Sequence, residues 1–288
     1  MLVRHPAIRP DFLAIGHVTR DLLPDGSWRL GGTVTYAALT AARLGLRAAI
    51  VTSAPTDVLA ALDVVLPDIP LSVVPSAEAT TFENTYTAQG RQQYLRGRAA
   101  PLTISAVPAA WRDAPIVLLG PVAQEIEANI VMAFPRSLVA ATPQGWLRQW
   151  DADGMVTPSP LANADMLLPH VRALILSPED VGPSADDAIV QWARIVPVIA
   201  VTRGAGGAYI WEDGVRSETF PAYPAREVDP TGAGDVFAAA FLCALHEIGD
   251  AADAADFANR VAACSVEAVG GEGIPTREMV AARWQAGG

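Results

Sequence analysis

The segment Asp229-Pro-Thr-Gly-Ala-Gly-Asp235 runs directly into the apolar stretch Val236–Leu245. Its small residues at 232–234 let successive backbone N–H groups turn toward one point, and the dipole of the following helix adds positive potential there. The segment therefore predicts an anion pocket at a helix start. Asp235 lies in the first turn, where a carboxylate can take the proton of an incoming hydroxyl. Phosphoryl transfer to an alcohol needs both features, although a glycine turn before an acidic residue is also common at helix starts.

Strands and helices alternate on both sides of this segment. Three helices are predicted, over Thr33–Leu44, from near Gly232 through Leu245, and over about Ala252–Ala268. The alternation indicates an α/β fold, with a mainly parallel sheet that has helices on both faces. Six apolar runs are predicted to be its buried strands: Phe12–Ile15, Ala48–Thr52, Ile116–Leu119, Ser137–Ala141, Ala173–Leu176 and Pro197–Thr202.

One stretch departs from the alternation. Thr80–Leu95 is rich in threonine and tyrosine and contains Gly90, a residue suited to a turn, so an extended β hairpin is predicted there. A hairpin inserted in an α/β domain can cover a site. It can equally be a surface hairpin without a functional role, and the local sequence does not decide between the two.

Composition excludes several classes of protein. Of the 288 residues, 51% are hydrophobic and 18% charged, which excludes a disordered chain. The net charge of −11 disfavours a nucleic-acid partner. The run Val236–Leu245 is too short to span a membrane, and the N-terminal region lacks the long apolar core of a signal peptide, so the cytoplasm is the expected compartment. Cys243 and Cys264 lie in helical patterns and are expected in the core, and the four histidines lack metal-ligand spacing.

The segment 229–235 resembles the C-terminal signature of the ribokinase-like (PfkB) carbohydrate kinases, whose consensus is Asp-Thr-x-Gly-Ala-Gly-Asp. Three further motifs of the family lie before this segment in the chain, in the order that the family has them. Residues 16–21 are similar to the family's first strand and its substrate-binding aspartate, and Gly31-Gly32 with the following helix resembles the N-terminal signature. Residues 201–207 resemble the nucleotide-side strand and turn. The resemblance spans nearly the whole chain, and the predicted hairpin falls where the family has its lid.

The resemblance implies a single three-layer α/β/α domain over residues 1–288, with a β lid formed by about 17–30 and 80–98. It further implies transfer of the ATP γ-phosphate to a small polyol, with Mg²⁺ bridging the phosphates; no membrane partner is expected, and a homodimer is allowed. The implied roles are Asp235 as base; Gly232, Ala233 and Gly234 as anion hole; Asp21, Gly31, Gly32 and Tyr36 for substrate; Thr202, Gly204, Gly207 and Thr231 for nucleotide; and Asp180 and Asp229 for Mg²⁺ through water.

Two departures from the family pattern bear on substrate and metal. Tyr36 stands where the family usually has an asparagine that binds the sugar, and such an aromatic residue can contact substrate or simply pack. Ser177-Pro-Glu-Asp180 replaces a common Asn-x-x-Glu, so Asp180 keeps a carboxylate that can equally be a helix-start residue. The stretch Gln144-Gly-Trp-Leu-Arg148 resembles one in inositol-kinase-like members, which favours a cyclitol, myo-inositol first. A nucleoside or another sugar is the alternative.

Two other classes of function have partial support in the sequence. Gly204-Ala-Gly-Gly207 is similar to part of a dinucleotide-binding loop, but a nicotinamide-dependent oxidoreductase needs G-x-G-x-x-G after the first strand, and Tyr209 occupies the sixth position here. A non-catalytic small-molecule-binding relative fits the two departures. It leaves the pairing of an anion pocket with Asp235 without a chemical reason.

Overall fold

The computed structural model describes residues 2–5, 8–87 and 90–285. Its strands are β1 (Leu2–Arg4), β2 (Phe12–Ile15), β3 (Thr19–Leu22), β4 (Trp28–Gly31), β5 (Ala48–Ala54), β6 (Leu71–Pro75), β7 (Thr80–Thr87), β8 (Gly90–Gly97), β9 (Ile116–Leu119), β10 (Leu138–Ala141), β11 (Arg148–Trp150), β12 (Val156–Pro158), β13 (Ala173–Leu176), β14 (Val198–Thr202), β15 (Ala208–Glu212) and β16 (Val215–Phe220). Its helices are α1 (Thr33–Arg43), α2 (Thr56–Val65), α3 (Ala164–Leu167), α4 (Pro178–Val181), α5 (Ala185–Trp192), α6 (Ala233–Ile248), α7 (Ala251–Ser265) and α8 (Arg277–Gln285).

The main sheet has ten strands in the order β1-β6-β5-β2-β9-β10-β13-β14-β15-β16. Its seven central strands, β6 to β14 in that order, pair in parallel, while β1, β15 and β16 pair antiparallel at the two edges. All six predicted strands lie in this sheet. The predicted α/β fold with a mainly parallel sheet is confirmed.

Each central strand supplies two cores because successive side chains point to opposite faces. In β2, Phe12 and Ala14 pack with α1, α2, α6 and α7, whereas Leu13 and Ile15 pack with α5 and the loops of the other face. All four of these residues are fully buried. This two-sided burial explains why the strands appear in the sequence as continuous apolar runs.

A second sheet, the small sheet, has four strands in the order β4-β3-β7-β8. The predicted hairpin forms β7 and β8, which pair antiparallel, and Gly90 opens β8 opposite Thr87. The turn that joins the two strands lies outside the described residues. In the register of β3 with β4, Asp21 lies directly opposite Arg29. The strands within both predicted lid ranges therefore belong to one sheet.

Each of the three predicted helices starts within one residue of its expected position. The differences lie at the C-terminal ends. Helix α1 ends at Arg43, α6 continues to Ile248 before Gly249, and α7 spans Ala251–Ser265, three residues shorter at its C-terminus than expected. Over the described ranges, no helix is long and apolar enough to cross a membrane.

Candidate active site

A cavity of about 450 Å³ lies between the small sheet and the carboxyl ends of the central strands. Carboxyl ends of parallel strands are where loops can place chemical groups around a ligand. The residues that line the cavity are Thr19, Asp21, Arg29, Gly32, Thr33, Tyr36, Phe82, Asn84, Gln93, Val122, Thr142, Gln144, Arg148, Ile175, Leu176, Ser177, Glu179, Asp180, Thr202, Pro230, Thr231, Gly232, Gly234 and Asp235.

The first turn of α6 brings the predicted anion hole and base together. Gly232 caps the helix with φ +79°, a left-handed conformation that favours glycine. A Cβ at Gly234 would meet no atom within 4 Å, so the backbone there is open to the cavity. Ala233 belongs to the same turn, but its side chain is not part of the cavity lining. The turn can therefore receive an anion beside Asp235.

Asp235 is half-buried at the cavity wall. Burial raises the pKa of Asp235 to about 6, and the hydrogen bond from the Thr33 side chain acts in the opposite direction. The nearby carboxylate of Asp180 also raises this pKa, whereas the Arg148 guanidinium lowers it. A carboxylate with such a pKa is mostly ionised at neutral pH and is still a stronger base than an ordinary aspartate.

Tyr36 lines the cavity beside the first turn of α6. Its ring lies against the backbone of Gly232, where a Cβ would overlap the ring. The side chain is 5% exposed and belongs to the core around α1 and α6, yet it also lines the cavity. Burial raises the pKa of Tyr36 to about 12, so its phenol stays protonated. Tyr36 thus packs and faces the cavity at the same time.

The small sheet contributes polar groups to the opposite wall. Asp21 lies above Gly31, where a Cβ would overlap the Asp21 carboxylate, so this glycine makes room for the carboxylate and does not line the cavity. On β7 and β8, the Gln93 amide donates to Asn84 Oδ1 at 3.0 Å. Gly32 has φ +93° and does line the cavity, at the point where β4 turns into α1.

Gln144 and Arg148 both line the cavity. The Arg148 guanidinium donates to the Val122 carbonyl at 3.2 Å and lies 5.6 Å from the centre of the Phe82 ring. The Gln144 amide donates to Asp180 Oδ1 at 2.7 Å. The inositol-kinase-like stretch is thereby joined to the region that the resemblance assigns to Mg²⁺.

Asp180 caps helix α4 and also faces the cavity. Its Oδ2 accepts from the Ser177 N–H at 2.9 Å in a capping box, and its Oδ1 accepts from Gln144. Each carboxylate oxygen can accept a second hydrogen bond, so Asp180 suits a metal-bound water. Among the described residues, no group of three or more His, Cys, Asp or Glu side chains could hold a metal directly. An ion held by phosphates and waters fits this arrangement.

Asp229, the second residue assigned to Mg²⁺, lies outside the cavity lining. Its Oδ1 accepts from the Thr231 N–H at 3.0 Å, while its Oδ2 accepts from the Gly270 N–H at 3.2 Å and from Arg29 at 3.1 Å. These bonds brace the loop in front of α6. The structure therefore places Asp229 in the support of the loop before α6 and not in the cavity wall.

The residues assigned to nucleotide separate into two groups. Thr202 and Thr231 line the cavity. Gly204 and Gly207 lie in the turn after β14, away from the cavity lining. Gly207 has φ +78°, and a Cβ there would overlap the Phe220 carbonyl, so this glycine permits close packing of the turn against the end of β16.

Several lining residues were not assigned from the sequence. Thr33, Arg29, Asn84 and Gln93 lie in the cavity wall. Thr33 could have been found because it directly follows Gly31-Gly32 at a predicted helix start. The other three lie on strands whose partners depend on the three-dimensional arrangement, so their positions carry no local signal.

The sequence is similar to those of known kinases. Residues 173–277 match the family model of the pfkB family carbohydrate kinases. The chain is 27% identical over 252 residues to the cytidine kinase of Thermococcus kodakarensis, covering 81% of this chain and 87% of that protein. It is 35% identical over 140 residues to the inositol 3-kinase of Zea mays, covering 48% of this chain and 35% of that protein.

Solved structures share the fold. A pyrophosphate-dependent kinase in the ribokinase family, complexed with a pyrophosphate analog and myo-inositol, matches with a TM-score of 0.77 and 21% identity, covering 94% of this chain and 99% of that one. The nucleoside kinase of Burkholderia thailandensis in complex with inosine gives 0.75 and 20%, covering 96% and 97% of the two chains. Residues 173–277 thus resemble the pfkB family of carbohydrate kinases, the relatives named here are kinases, and the chain has the fold of the ribokinase family.

Proposed function

We propose that this protein transfers the γ-phosphoryl group of ATP to a hydroxyl of a small ring-shaped polyol, with myo-inositol as the first candidate. One observation carries the proposal: Asp235, with its raised pKa, lies beside the open first turn of α6 in the same cavity as Asp21. The base, the anion pocket and the polar wall for the acceptor therefore surround a single space.

The reaction follows from this arrangement. The acceptor oxygen forms a bond to the terminal phosphorus while its proton passes to Asp235. The bond between that phosphorus and the bridging oxygen of the donor breaks, and the bridging oxygen keeps the electron pair. The backbone N–H groups of Gly232 and Gly234 stabilise the negative charge on the phosphoryl oxygens, whereas the Ala233 N–H donates to the Pro230 carbonyl at 3.1 Å. Such stabilisation is worth about 3–4 kcal/mol in comparable sites. Asp235 then releases its proton to solvent.

Magnesium fits the proposal as an ion bound to the phosphates, whose charge it neutralises. Asp180 would hold one of the waters of this ion, since its carboxylate faces the cavity and is fixed by Ser177 and Gln144. Thr202 and Thr231 would contact the donor, because they line the cavity beside the α6 turn.

The acceptor wall suits a polyol. Asp21, Asn84 and Gln93 offer hydrogen-bond acceptors and donors from the small sheet, and Arg148 adds a guanidinium. Tyr36 and Phe82 offer ring surface against which a cyclitol can pack. Similarity to the inositol 3-kinase of Zea mays and to a structure that contains myo-inositol supports the same choice. The small sheet would then act as a lid over the acceptor.

A nucleoside is the second candidate acceptor. The cytidine kinase of Thermococcus kodakarensis aligns over 87% of its own length, far more than the inositol 3-kinase. A base could pack on the ring of Tyr36 as a cyclitol could. The donor also has an alternative, because structural neighbours include kinases that depend on pyrophosphate.

A product-resolved screen tests the proposal. The purified protein is incubated with Mg²⁺, with ATP or pyrophosphate as donor and with myo-inositol, ribose, fructose, cytidine or inosine as acceptor, and phosphorus NMR identifies the product. The Asp235→Asn variant is the matched control for contaminating kinases. Phosphorylated myo-inositol from ATP, formed at least about 10²-fold faster by the unmodified protein, is expected. Equal donor consumption by the two proteins with every acceptor would contradict the kinase assignment.

A further inference from the structure

Arg29 links the small sheet to the loop in front of α6. Its Nη1 donates to Asp229 Oδ2 at 3.1 Å, and its Nη2 donates to the Thr231 hydroxyl at 2.8 Å. The partners lie about 200 positions further along the chain, and Thr231 directly precedes Gly232 of the anion pocket. A guanidinium on the small sheet is thus placed beside the phosphate side of the cavity.

The face of the sheet on which Arg29 lies is also the substrate face. Arg29 is directly opposite Asp21 in the β3–β4 register, so both side chains project from one face, and both line the cavity. Asp21 lies on the side of the cavity that is proposed to bind the acceptor, whereas Arg29 reaches the loop that carries Thr231. The same pair of strands would therefore present groups to the acceptor and to the phosphoryl group.

The cavity wall is rich in carboxylates, so binding of a polyphosphate would need a positive side chain near the phosphates. Four carboxylates, those of Asp21, Glu179, Asp180 and Asp235, line the cavity, and they would repel a polyphosphate donor. The sequence contains no lysine, since all 20 of its basic residues are arginines. Arg29 and Arg148 supply the positive side chains of the described cavity wall. Arg148 lies on the acceptor side with Phe82 and Val122.

Arg29 retains donor capacity after its two contacts are counted. A guanidinium has five N–H donors in a fixed fork, and Asp229 and Thr231 use one on each of the two Nη atoms. Its Nε is buried and has no hydrogen-bond partner within the described part of the chain. The side chain is 37% exposed and lines the cavity. A charged group held in this way, with donors unused, suits a ligand that arrives with several anionic oxygens.

We propose that Arg29 is a catalytic residue of the phosphoryl transfer, and that Asp229 is its positioning residue. The guanidinium donates hydrogen bonds to oxygens of the phosphoryl group during its transfer to the acceptor. Asp229 fixes the direction of the fork and is itself held by the Thr231 and Gly270 N–H groups. This inference rests on the proposed kinase function, and it extends the site to a residue of the small sheet.

Steady-state kinetics with chemical rescue test the role of Arg29. Arg29→Ala is expected to lower kcat by about 10²-fold or more while the acceptor KM stays within about threefold, because the lost bonds act on the transferred group. Millimolar guanidinium chloride, compared with equal sodium chloride, should restore part of kcat. Arg29→Lys should stay at least about tenfold below the unmodified protein, since an ammonium lacks the fork. The control is Arg47→Ala, which removes an exposed ion pair with Asp11 outside the cavity lining.

The Asp229→Asn variant distinguishes a catalytic role of Arg29 from a role that only attaches the small sheet to the loop before α6. The asparagine still accepts from the Thr231 N–H but loses the charge that fixes Arg29, so a smaller fall in kcat than for Arg29→Ala is expected, without rescue by guanidinium. A kcat within about threefold of normal for Arg29→Ala, a loss confined to the acceptor KM, or a loss that guanidinium does not restore would each overturn the inference. The unmodified protein is assayed alongside, because its own inactivity would contradict the proposed function instead.

Discussion

Asp235 shows how one residue can carry both the position and the strength of a base. Its place in the first turn of α6 follows from the sequence, but the pKa of about 6 arises from burial in the folded cavity. Because the base must be ionised to accept a proton, activity is lost as the pH falls through this pKa.

We therefore predict an acid limb in the pH dependence of kcat/KM, with a midpoint near pH 6. Below the midpoint the value should fall about tenfold per pH unit, because only the ionised fraction of Asp235 is competent. Initial rates between pH 4.5 and 8, with acceptor below its KM, measure the limb. A protein that keeps full kcat/KM at pH 5 would contradict the assignment of Asp235 as base.

A substitution at Gly234 tests the anion pocket with little effect on the stability of the fold. A side chain here meets no neighbouring atom and would project into the space proposed for phosphate. Gly234→Val should lower kcat/KM for ATP by about 10²-fold or more, with a change in Tm of only a few degrees. Kinetics and a thermal melt on the same sample decide the outcome. Normal kinetics with an intact fold would mean that phosphate binds elsewhere.

At the scale of elements, both edge strands of the small sheet are attached to the rest of the molecule. Arg29 attaches β4, as described above. The outer edge of β8 is covered by the loop between β11 and β12, where the Leu95 N–H donates to the Gly154 carbonyl at 2.8 Å and Arg96 donates to the Asp153 carbonyl at 2.9 Å. Arg148, at the start of β11, lines the cavity. The position of the sheet and the position of this guanidinium are therefore connected.

We predict that acceptor binding slows amide hydrogen exchange in β7 and β8. Asn84 and Gln93 face the cavity from these strands, so a bound polyol would hold the sheet against the main sheet and restrict opening. Exchange with and without myo-inositol, read by mass spectrometry, measures the effect. The β15–β16 hairpin, at the far edge of the main sheet, is the internal control. Unchanged exchange in β7 and β8 with saturating acceptor would contradict a lid role.

At the scale of the whole molecule, Glu125 joins the entry of the small sheet to the cavity wall. Its buried carboxylate accepts from the backbone N–H of His17 at 3.1 Å, of Val122 at 3.0 Å and of Ala123 at 2.7 Å. His17 follows β2, and its ring contacts the Thr80 hydroxyl at 2.6 Å and the Ala100 carbonyl at 2.9 Å. Segments that lead into and out of the small sheet therefore meet at His17, whose backbone N–H the Glu125 carboxylate binds.

Glu125→Leu should lower the free energy of unfolding by about 3 kcal/mol or more, because it leaves several buried N–H groups without an acceptor. Glu125→Gln keeps one acceptor oxygen and should lose less. Urea denaturation of both variants measures the change, with Glu127→Gln, an exposed residue two positions on, as the control. A loss below about 1 kcal/mol for Glu125→Leu would show that these bonds contribute little.

The sequence by itself determined the six central strands, the helices α1, α6 and α7, and the pairing of a small-residue turn with Asp235. These features depend on neighbours within a few positions, through strand burial, helix periodicity and the conformational freedom of glycine at Gly232.

Only the tertiary structure decided which distant groups meet. Tyr36 lies against Gly232, Arg29 reaches Asp229, and Gly207 packs against Phe220, over separations of 196, 200 and 13 positions. The sequence could assign Asp229 to a metal or Gly207 to a nucleotide only by resemblance. Their contacts arise from how the two sheets and α6 pack, and packing between distant segments leaves no periodic pattern along the chain.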